Sequence, residues 1–140
     1  YFLVGAPILQ KVIDKVKEKY KLPVVCLQLT AIKRIKADKY IFDAGPKEFL
    51  NLFKNAEFVI TTSFHGTAFS VIFEKPFYSV LKNGYRTERF ENLLKQLHLE
   101  NRMITDCLGE IESIDYKNIS PIIEQKRIES IEYLKKILDV

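Results

Sequence analysis

Residues 58–80 read FVITTSFHGTAFSVIFEKPFYSV, and they carry the clearest secondary-structure pattern in the chain. The apolar, β-branched run from Phe58 to Thr62 predicts a buried strand, and the small and apolar residues from Thr67 to about Phe73 predict a helix. Lys75-Pro76 ends that helix, and the run from Phe77 to Leu81 predicts another strand. This order of strand, turn, helix and strand predicts a βαβ unit with parallel strands.

The rest of the chain alternates between strand-like and helix-like segments in the same way. Further strands are predicted at Phe2 to Val4, Val24 to Leu29, Tyr40 to Phe42 and Met103-Ile104. Further helices are predicted at Leu9 to Tyr20, from Pro46, at Phe90 to Leu97 and from Ser120-Pro121, where serine would be the N-cap and proline the first helical residue. About five strands and five helices predict the α/β class, a Rossmann-like parallel sheet with helices on both faces, within one domain spanning residues 1–140.

Composition narrows the class of protein. The chain has 140 residues, of which 47% are hydrophobic and 29% charged, as is typical of a soluble globular domain. No apolar run reaches the roughly 20 residues that span a bilayer. The net charge of +4 suits an anionic small ligand or a membrane-associated assembly. Without a stripe of interleaved aromatic and basic residues, it does not predict nucleic-acid binding. Because the chain begins with Tyr1, we expect a fragment of a longer protein.

The two cysteines and the basic segment each allow two interpretations. Cys26 and Cys107 lie among apolar residues and lack CxxC spacing, which favours two buried free thiols over a disulfide or a metal pair. The lysines and arginine between Lys33 and Lys39 form either a solvated loop or a basic lip that faces an anionic glycan or a membrane. No cluster of metal ligands is present in the sequence, so no metal is expected.

The turn from Ser63 to Gly66 is the candidate site. In open parallel sheets, ligands bind beyond the carboxyl ends of the strands, which is where this turn is predicted to lie. Gly66 would let the backbone approach a ligand closely. The free N–H groups of the helix that follows, together with its dipole, would bind a phosphate or a carboxylate.

Three side chains of the turn carry suitable chemistry. His65 can pair with phosphate as an imidazolium and can donate a proton near neutral pH, although a structural histidine is the alternative. Ser63 and Thr67 offer hydroxyl groups that either bind the ligand or cap the helix. The chain lacks a G-x-S-x-G elbow, a G-x-x-x-x-G-K-[ST] loop and a G-x-G-x-x-G turn. A triad hydrolase, a P-loop nucleotidase and a standard dinucleotide site are therefore poorly supported.

Two stretches resemble a known family. Residues 45–77, GPKEFLNLFKNAEFVITTSFHGTAFSVIFEKPF, resemble the core signature of the polysaccharide pyruvyl transferases, in which Ser-Phe-His-Gly-Thr lies between a strand and a helix. Residues 89–102, RFENLLKQLHLENR, resemble that family's Arg-Phe-x-x-Leu-Leu helix and its terminal arginine. The resemblance covers about residues 43–102, and a contiguous SFHGT in this frame is a strong signal.

The resemblance implies a fold and a reaction. Members of this family are expected to have two Rossmann-like domains that face a cleft, as in GT-B glycosyltransferases, and this chain would be the C-terminal domain. The N-terminal domain would be its partner, so this fragment alone is expected to be inactive. The implied reaction moves the carboxyvinyl group of phosphoenolpyruvate onto two hydroxyls of a glycan or lipid-linked saccharide, which gives a pyruvate ketal and phosphate. The implied location is cytoplasmic, peripheral at the inner face of the membrane.

The resemblance also implies roles for single residues. His65 would be catalytic, and Ser63, Gly66 and Thr67 would shape a cradle for the phosphate of the donor. Arg89 would be the cation that binds the donor, with Arg86 as its nearest competitor. No cofactor is implied beyond phosphoenolpyruvate as the donor substrate.

Three further positions remain open. Arg102 matches the family's second arginine, but a structural ion pair is an equal alternative. Lys75 either faces the cleft or caps the C-terminus of a helix, and we favour the cap. Thr62 stands where the family often has an acid or another polar residue, so any role that depends on a carboxylate there is in doubt.

Two other functions compete with pyruvyl transfer. A GT-B glycosyltransferase would share the fold and differ in using a nucleotide sugar as the donor. A non-catalytic domain of a polysaccharide assembly would suit the basic segment at Lys33 to Lys39 and the net charge of +4.

Overall fold

The computed structural model describes residues 8–28, 35–81 and 87–138. The strand predicted at Phe2 to Val4 lies outside these ranges, as do Lys33 and Arg34 of the basic segment and Arg86 of the candidate site. Of the remaining basic residues in that segment, Lys36 and Lys39 are exposed.

The elements follow the predicted alternation of strands and helices. In chain order they are α1 (Leu9–Tyr20), β1 (Val25–Leu27), β2 (Lys39–Ile41), α2 (Pro46–Lys54), β3 (Val59–Thr61), α3 (Phe64–Ile72), β4 (Phe77–Val80), α4 (Glu88–Gln96), a 3₁₀ turn (Glu100–Arg102), β5 (Met103–Ile104) and α5 (Tyr116–Leu138). No helix in the described ranges is long and apolar enough to cross a membrane.

All the strand pairs in the described ranges are parallel. β1 pairs with β2, and β4 lies between β3 and β5. The predicted α/β class with parallel strands is therefore confirmed. The described strands form two sheets rather than one, so a single Rossmann-like sheet stays a prediction.

Helices cover both faces of the three-stranded sheet, as predicted. Successive side chains of a strand point to opposite faces. In β4, Tyr78 and Val80 pack into a cluster with the apolar face of α1, whereas Phe77 packs into a second cluster with α2, α3, α4 and α5. Phe77 and Val80 have no exposed surface. β4 is thus the buried centre of the sheet.

The last helix begins earlier than the sequence predicted. Ser120-Pro121 was expected to start it, but α5 begins at Tyr116 and contains Pro121. The reason is that Asp115 supplies the cap, since its side chain accepts a hydrogen bond from the Lys117 N–H at 3.1 Å. The Ser120 hydroxyl lies instead within hydrogen-bond distance of two acceptors, a Glu74 carboxylate oxygen at 2.6 Å and the Tyr116 carbonyl at 2.7 Å.

Both cysteines are free thiols, but only one is buried. Cys26 lies in the core, and burial raises the pKa of its thiol. Cys107 is exposed, so the prediction that it is buried was wrong. It follows β5 in an irregular segment, where its apolar neighbour Leu108 is only half-buried.

Candidate functional site

The predicted loop from Ser63 to Gly66 is the first turn of α3. Ser63 has an extended backbone, with φ −114° and ψ 137°, and is the N-cap; the helix begins at Phe64. Helical bonding starts this early because the Thr67 N–H donates to the Ser63 carbonyl at 3.0 Å. Gly66, which was read as part of a loop, is a buried helical residue. The start of the helix therefore directly follows the carboxyl end of β3.

No residue in the described ranges caps the amide groups of this first turn. Serine is a preferred N-cap residue because its hydroxyl can accept a bond from the helix amides, yet the Ser63 side chain makes no such bond. The amides of Phe64, His65 and Gly66 cannot bond within the helix. In the described part of the chain, nothing else accepts a hydrogen bond from them. These donors and the helix dipole form a site for an anion.

His65 stands at the surface of the same turn. Its side chain is exposed, unlike the neighbouring Ser63, Gly66 and Thr67, which are buried. The imidazole meets the Phe64 ring edge-on, with 6.2 Å between the ring centres. An exposed imidazole beside uncapped amides can bind an anion and can exchange a proton with it.

Arg89 lies beside this turn although it belongs to α4. Its guanidinium carbon lies 5.3 Å from the centre of the Phe64 ring, within the range of a cation–π contact. Phe90, the next residue of α4, meets the same ring edge-on at 5.7 Å. Phe64 thus contacts both Arg89 and His65. Arg86 lies outside the described residues, so the choice between the two arginines stays a prediction.

Thr67 supports the turn from below. It has no exposed surface, and its hydroxyl donates to the Ser63 carbonyl at 3.1 Å. The same hydroxyl lies 2.6 Å from the Ser79 hydroxyl in β4. The predicted cradle residues are therefore brought together at the start of α3, with Thr67 already bonded to the protein. Direct binding of a phosphate by Ser63, Gly66 and Thr67 stays a prediction.

Arg102 has the structural role that was one of its two alternatives. The side chain is 4% exposed and lies over the Tyr78 ring. Its two terminal nitrogens donate to the carbonyls of Glu112 at 2.8 Å and Ser113 at 2.9 Å. A carboxylate oxygen of Glu112 lies 3.9 Å away. Arg102 therefore fixes the segment that leads into α5.

Lys75 belongs to the C-terminal closure of α3. Its backbone N–H donates to the Ser70 carbonyl at 2.8 Å, and Glu74 before it has φ 51°. A left-handed residue followed by such a bond is a Schellman motif, which satisfies the last carbonyls of a helix. Lys75 therefore caps the C-terminus of α3, the alternative that we favoured, and it does so through its backbone N–H.

Sequence reasoning gave no role to three residues of this region. Phe64 was part of the quoted motif, but only its ring contacts reveal that it links α3 to α4. Thr61 and Ser79 are fully buried hydroxyl residues in otherwise apolar strands. A small polar residue in a run such as FYSVL was the available signal, because buried polar groups require partners.

A cavity of about 980 Å³ in the described structure lies away from this turn, among α1, β1, α2 and β3. Its walls are largely apolar, with Val16, Cys26 and Ile60 among them, and they include none of the candidate site residues. Such a lining does not suit a phosphate or a carboxylate. No group of three or more metal-ligating side chains occurs in the described ranges.

The comparisons with known proteins identify the family of the chain. The model of the family described as polysaccharide pyruvyl transferase matches residues 5–84, more than half of the chain, including all of α3. That description indicates a transferase that acts on polysaccharide. No curated protein and no solved structure gave a match. The chain belongs to the polysaccharide pyruvyl transferase family.

Proposed function

We propose that the protein transfers the carboxyvinyl group of phosphoenolpyruvate to two hydroxyls of a saccharide, which forms a cyclic pyruvate ketal and phosphate. One observation carries this proposal: the uncapped amides of α3, the exposed His65 imidazole and the Arg89 guanidinium all lie at one place beyond the carboxyl end of β3. Membership in the family supports it.

The two charged groups of the donor explain why these features belong together. Phosphoenolpyruvate carries a phosphate and a carboxylate, so its site needs positive potential at two points. The amides and the dipole of α3 suit the phosphate. A guanidinium suits the planar carboxylate, because it can donate two parallel hydrogen bonds to it. The contact with Phe64 restricts the Arg89 side chain before the donor binds. Less side-chain conformational entropy is therefore lost on binding.

His65 would supply the proton that the reaction needs. The imidazolium donates a proton to the methylene carbon, which becomes a methyl group, while the adjacent carbon becomes electrophilic and is attacked by one sugar hydroxyl. Phosphate then leaves from that carbon, and the second hydroxyl attacks it. Of the two protons that the hydroxyls lose, one restores the imidazolium and the other leaves with the phosphate. The amides and Arg89 stabilise the negative charge throughout.

The proposal also assigns the chain a place in a larger protein. We take it as the C-terminal domain of a GT-B-like pair, whose N-terminal domain supplies the other wall of the cleft and contacts to the glycan or lipid-linked saccharide. The location we propose is cytoplasmic, at the inner face of the membrane, where such acceptors would be reached. On this view the isolated C-terminal domain binds the donor weakly and does not turn over.

The experiment compares donors on the full-length protein. Phosphoenolpyruvate should raise the melting temperature, whereas nucleotide sugars should not. With a panel of saccharide acceptors, phosphate release should accompany a new methyl signal of a pyruvate ketal in the proton NMR spectrum. Stabilisation by a nucleotide sugar without any effect of phosphoenolpyruvate would instead indicate a glycosyltransferase. A protein that responds to neither donor would indicate a non-catalytic domain.

A further inference from the structure

Two buried hydroxyl groups lie beneath the start of α3, one on each of two neighbouring strands. Thr61 ends β3 and Ser79 lies in β4, and the parallel register makes these residues cross-strand partners. Both have no exposed surface. Each reaches Ser63, the N-cap of α3, by a different route.

Thr61 holds the amide of Ser63. Its hydroxyl oxygen accepts a hydrogen bond from the Ser63 N–H at 3.1 Å. This amide lies before the helix and so has no partner in the helical ladder. Because Ser63 is buried, the bond from Thr61 satisfies a donor that would otherwise lack a partner.

Ser79 holds the carbonyl of Ser63 through Thr67. The Thr67 hydroxyl donates to that carbonyl and lies 2.6 Å from the Ser79 hydroxyl. A threonine hydroxyl has one proton to donate. Since the proton of Thr67 goes to Ser63, the proton between the two hydroxyls comes from Ser79. A directed chain of hydrogen bonds therefore runs from β4 to the N-cap of α3.

The stability of the fold does not explain this chain of hydrogen bonds. Replacing both partners of a buried hydrogen bond by apolar groups of the same shape is often nearly neutral, whereas a half-satisfied pair is costly. Phe77, which lies on the same face of β4 as Ser79, is fully buried and apolar, so an apolar set would suit this face. The hydroxyls instead hold the N–H and the carbonyl of Ser63 in place. They thereby set the orientation of the amides that follow Ser63.

We propose that Ser79 and Thr61 are positioning residues of the donor site. Neither touches the donor; they hold Ser63 in the extended conformation from which the first-turn amides and His65 point at it. The inference rests on the proposed function, since it takes the phosphate of phosphoenolpyruvate to lie at the start of α3. Ser79 is the sharper test because it acts on Ser63 only through Thr67.

The first experiment uses a matched pair of serine variants in the full-length protein. Ser70 is as buried as Ser79, and its hydroxyl donates to the Gly66 carbonyl at 2.7 Å without reaching Ser63. Ser79→Ala and Ser70→Ala should therefore lower the melting temperature by similar amounts. Only Ser79→Ala should raise the Kd for phosphoenolpyruvate, by about tenfold, because small misplacements of binding groups are costly. Calorimetric titration measures both constants.

A second pair of variants tests Thr67, which lies in the middle of the hydrogen-bond chain from Ser79 to Ser63. Thr67→Ser keeps the hydroxyl and should recover most of the affinity that Thr67→Val loses. Thr67→Val keeps the shape and should bind the donor as weakly as Ser79→Ala. The double variant Thr67→Val with Ser79→Ala should be no weaker than either single one, because both changes break the same chain.

The outcomes separate the two proposals. If the unaltered protein binds phosphoenolpyruvate but Ser79→Ala and Ser70→Ala have the same Kd, the positioning role is overturned and the proposed function stands. If the unaltered protein does not bind phosphoenolpyruvate, both are overturned. Should Ser79→Ala fail to fold, Ser79→Cys decides by the same comparison with Ser70→Cys.

Discussion

The guanidinium of Arg89 lies over the ring of Phe64, with its carbon 5.3 Å from the ring centre. The contact joins the first turn of α4 to the first turn of α3. Because Phe90 meets the same ring edge-on at 89°, the position of Phe64 is fixed from the side of α4 as well. A cation from another helix is thereby held against Phe64, the residue that precedes His65.

Arg89→Ala should weaken binding of phosphoenolpyruvate by about tenfold or more, since a hydrogen bond to a charged group contributes about 1.5–3 kcal/mol. Arg89→Lys should recover only part of this loss, because lysine keeps the charge but not the planar, stacked donor group. The free energy of unfolding should fall by less than about 1 kcal/mol, as the contact is at the surface. Calorimetric titration and urea unfolding measure the two effects.

Arg127 provides the control for this prediction. It is an exposed arginine on α5 that lies 3.4 Å from Glu124 and outside the candidate site. Arg127→Ala should leave the affinity for the donor unchanged. Equal affinities of Arg89→Ala and Arg127→Ala would remove Arg89 from the site and would make Arg86 the remaining candidate.

His65→Ala should lower turnover by at least about 100-fold, because general acid–base catalysis contributes about 10²–10⁴-fold. The melting temperature should hardly change, since the side chain is exposed. The other histidine, His98, closes α4 with φ 55°, and asparagine tolerates that conformation. His98→Asn should therefore retain full turnover. Phosphate release by a full-length His65→Ala protein at the normal rate would reject the catalytic role.

Arg102→Met should reduce stability by about 2–4 kcal/mol, because it removes two charge-assisted hydrogen bonds to the carbonyls of Glu112 and Ser113. Glu112→Gln should cost less than about 1 kcal/mol, since its carboxylate is 68% exposed and 3.9 Å from the guanidinium. Urea unfolding measures both. A stable Arg102→Met protein that had lost affinity for phosphoenolpyruvate would instead favour the donor-binding alternative.

Tyr116 gives a prediction at alkaline pH. Its hydroxyl donates to the Lys75 carbonyl at 2.7 Å, and burial raises its pKa well above the ordinary value near 10. Because the folded pKa is raised, the contribution of this group is fully present below about pH 10 and is lost as the pH rises above it. Tyr116→Phe should cost about 1 kcal/mol at pH 8 and less at pH 11.

The control for this effect is Tyr133→Phe, since Tyr133 is 65% exposed. It should leave the pH dependence of unfolding unchanged. Tyr78 is buried and its pKa is also raised, so some loss of stability at high pH should persist in Tyr116→Phe. A difference between the protein and Tyr116→Phe that stayed constant from pH 8 to pH 11 would contradict the assigned cause.

The order of the elements could be predicted from the sequence because apolar periodicity and proline positions are local signals. The start of α3 could not, since Gly66 resembles a loop residue and its place in the helix depends on the bonds of Thr67 to Ser63. The start of α5 was misplaced for a related reason. Ser120-Pro121 is a good starting pair, but Asp115 caps the helix a turn earlier.

The residues of the site could be predicted from the sequence, but the contacts between them could not. The motif from Ser63 to Thr67 and its anion chemistry are visible in the sequence, and so is Arg89 by resemblance. The contacts that join them require the tertiary structure. Ser79 lies near the turn because the parallel register sets it opposite Thr61. A short stretch of sequence does not determine the register between two strands.

A crystal structure of the full-length protein with phosphoenolpyruvate would locate the donor directly. We expect the phosphate oxygens within hydrogen-bond distance of the amides of His65 and Gly66, with the His65 imidazole against the donor and the carboxylate beside Arg89. A donor bound elsewhere, with these amides and the imidazole free of contact to it, would show that the start of α3 is not the donor site.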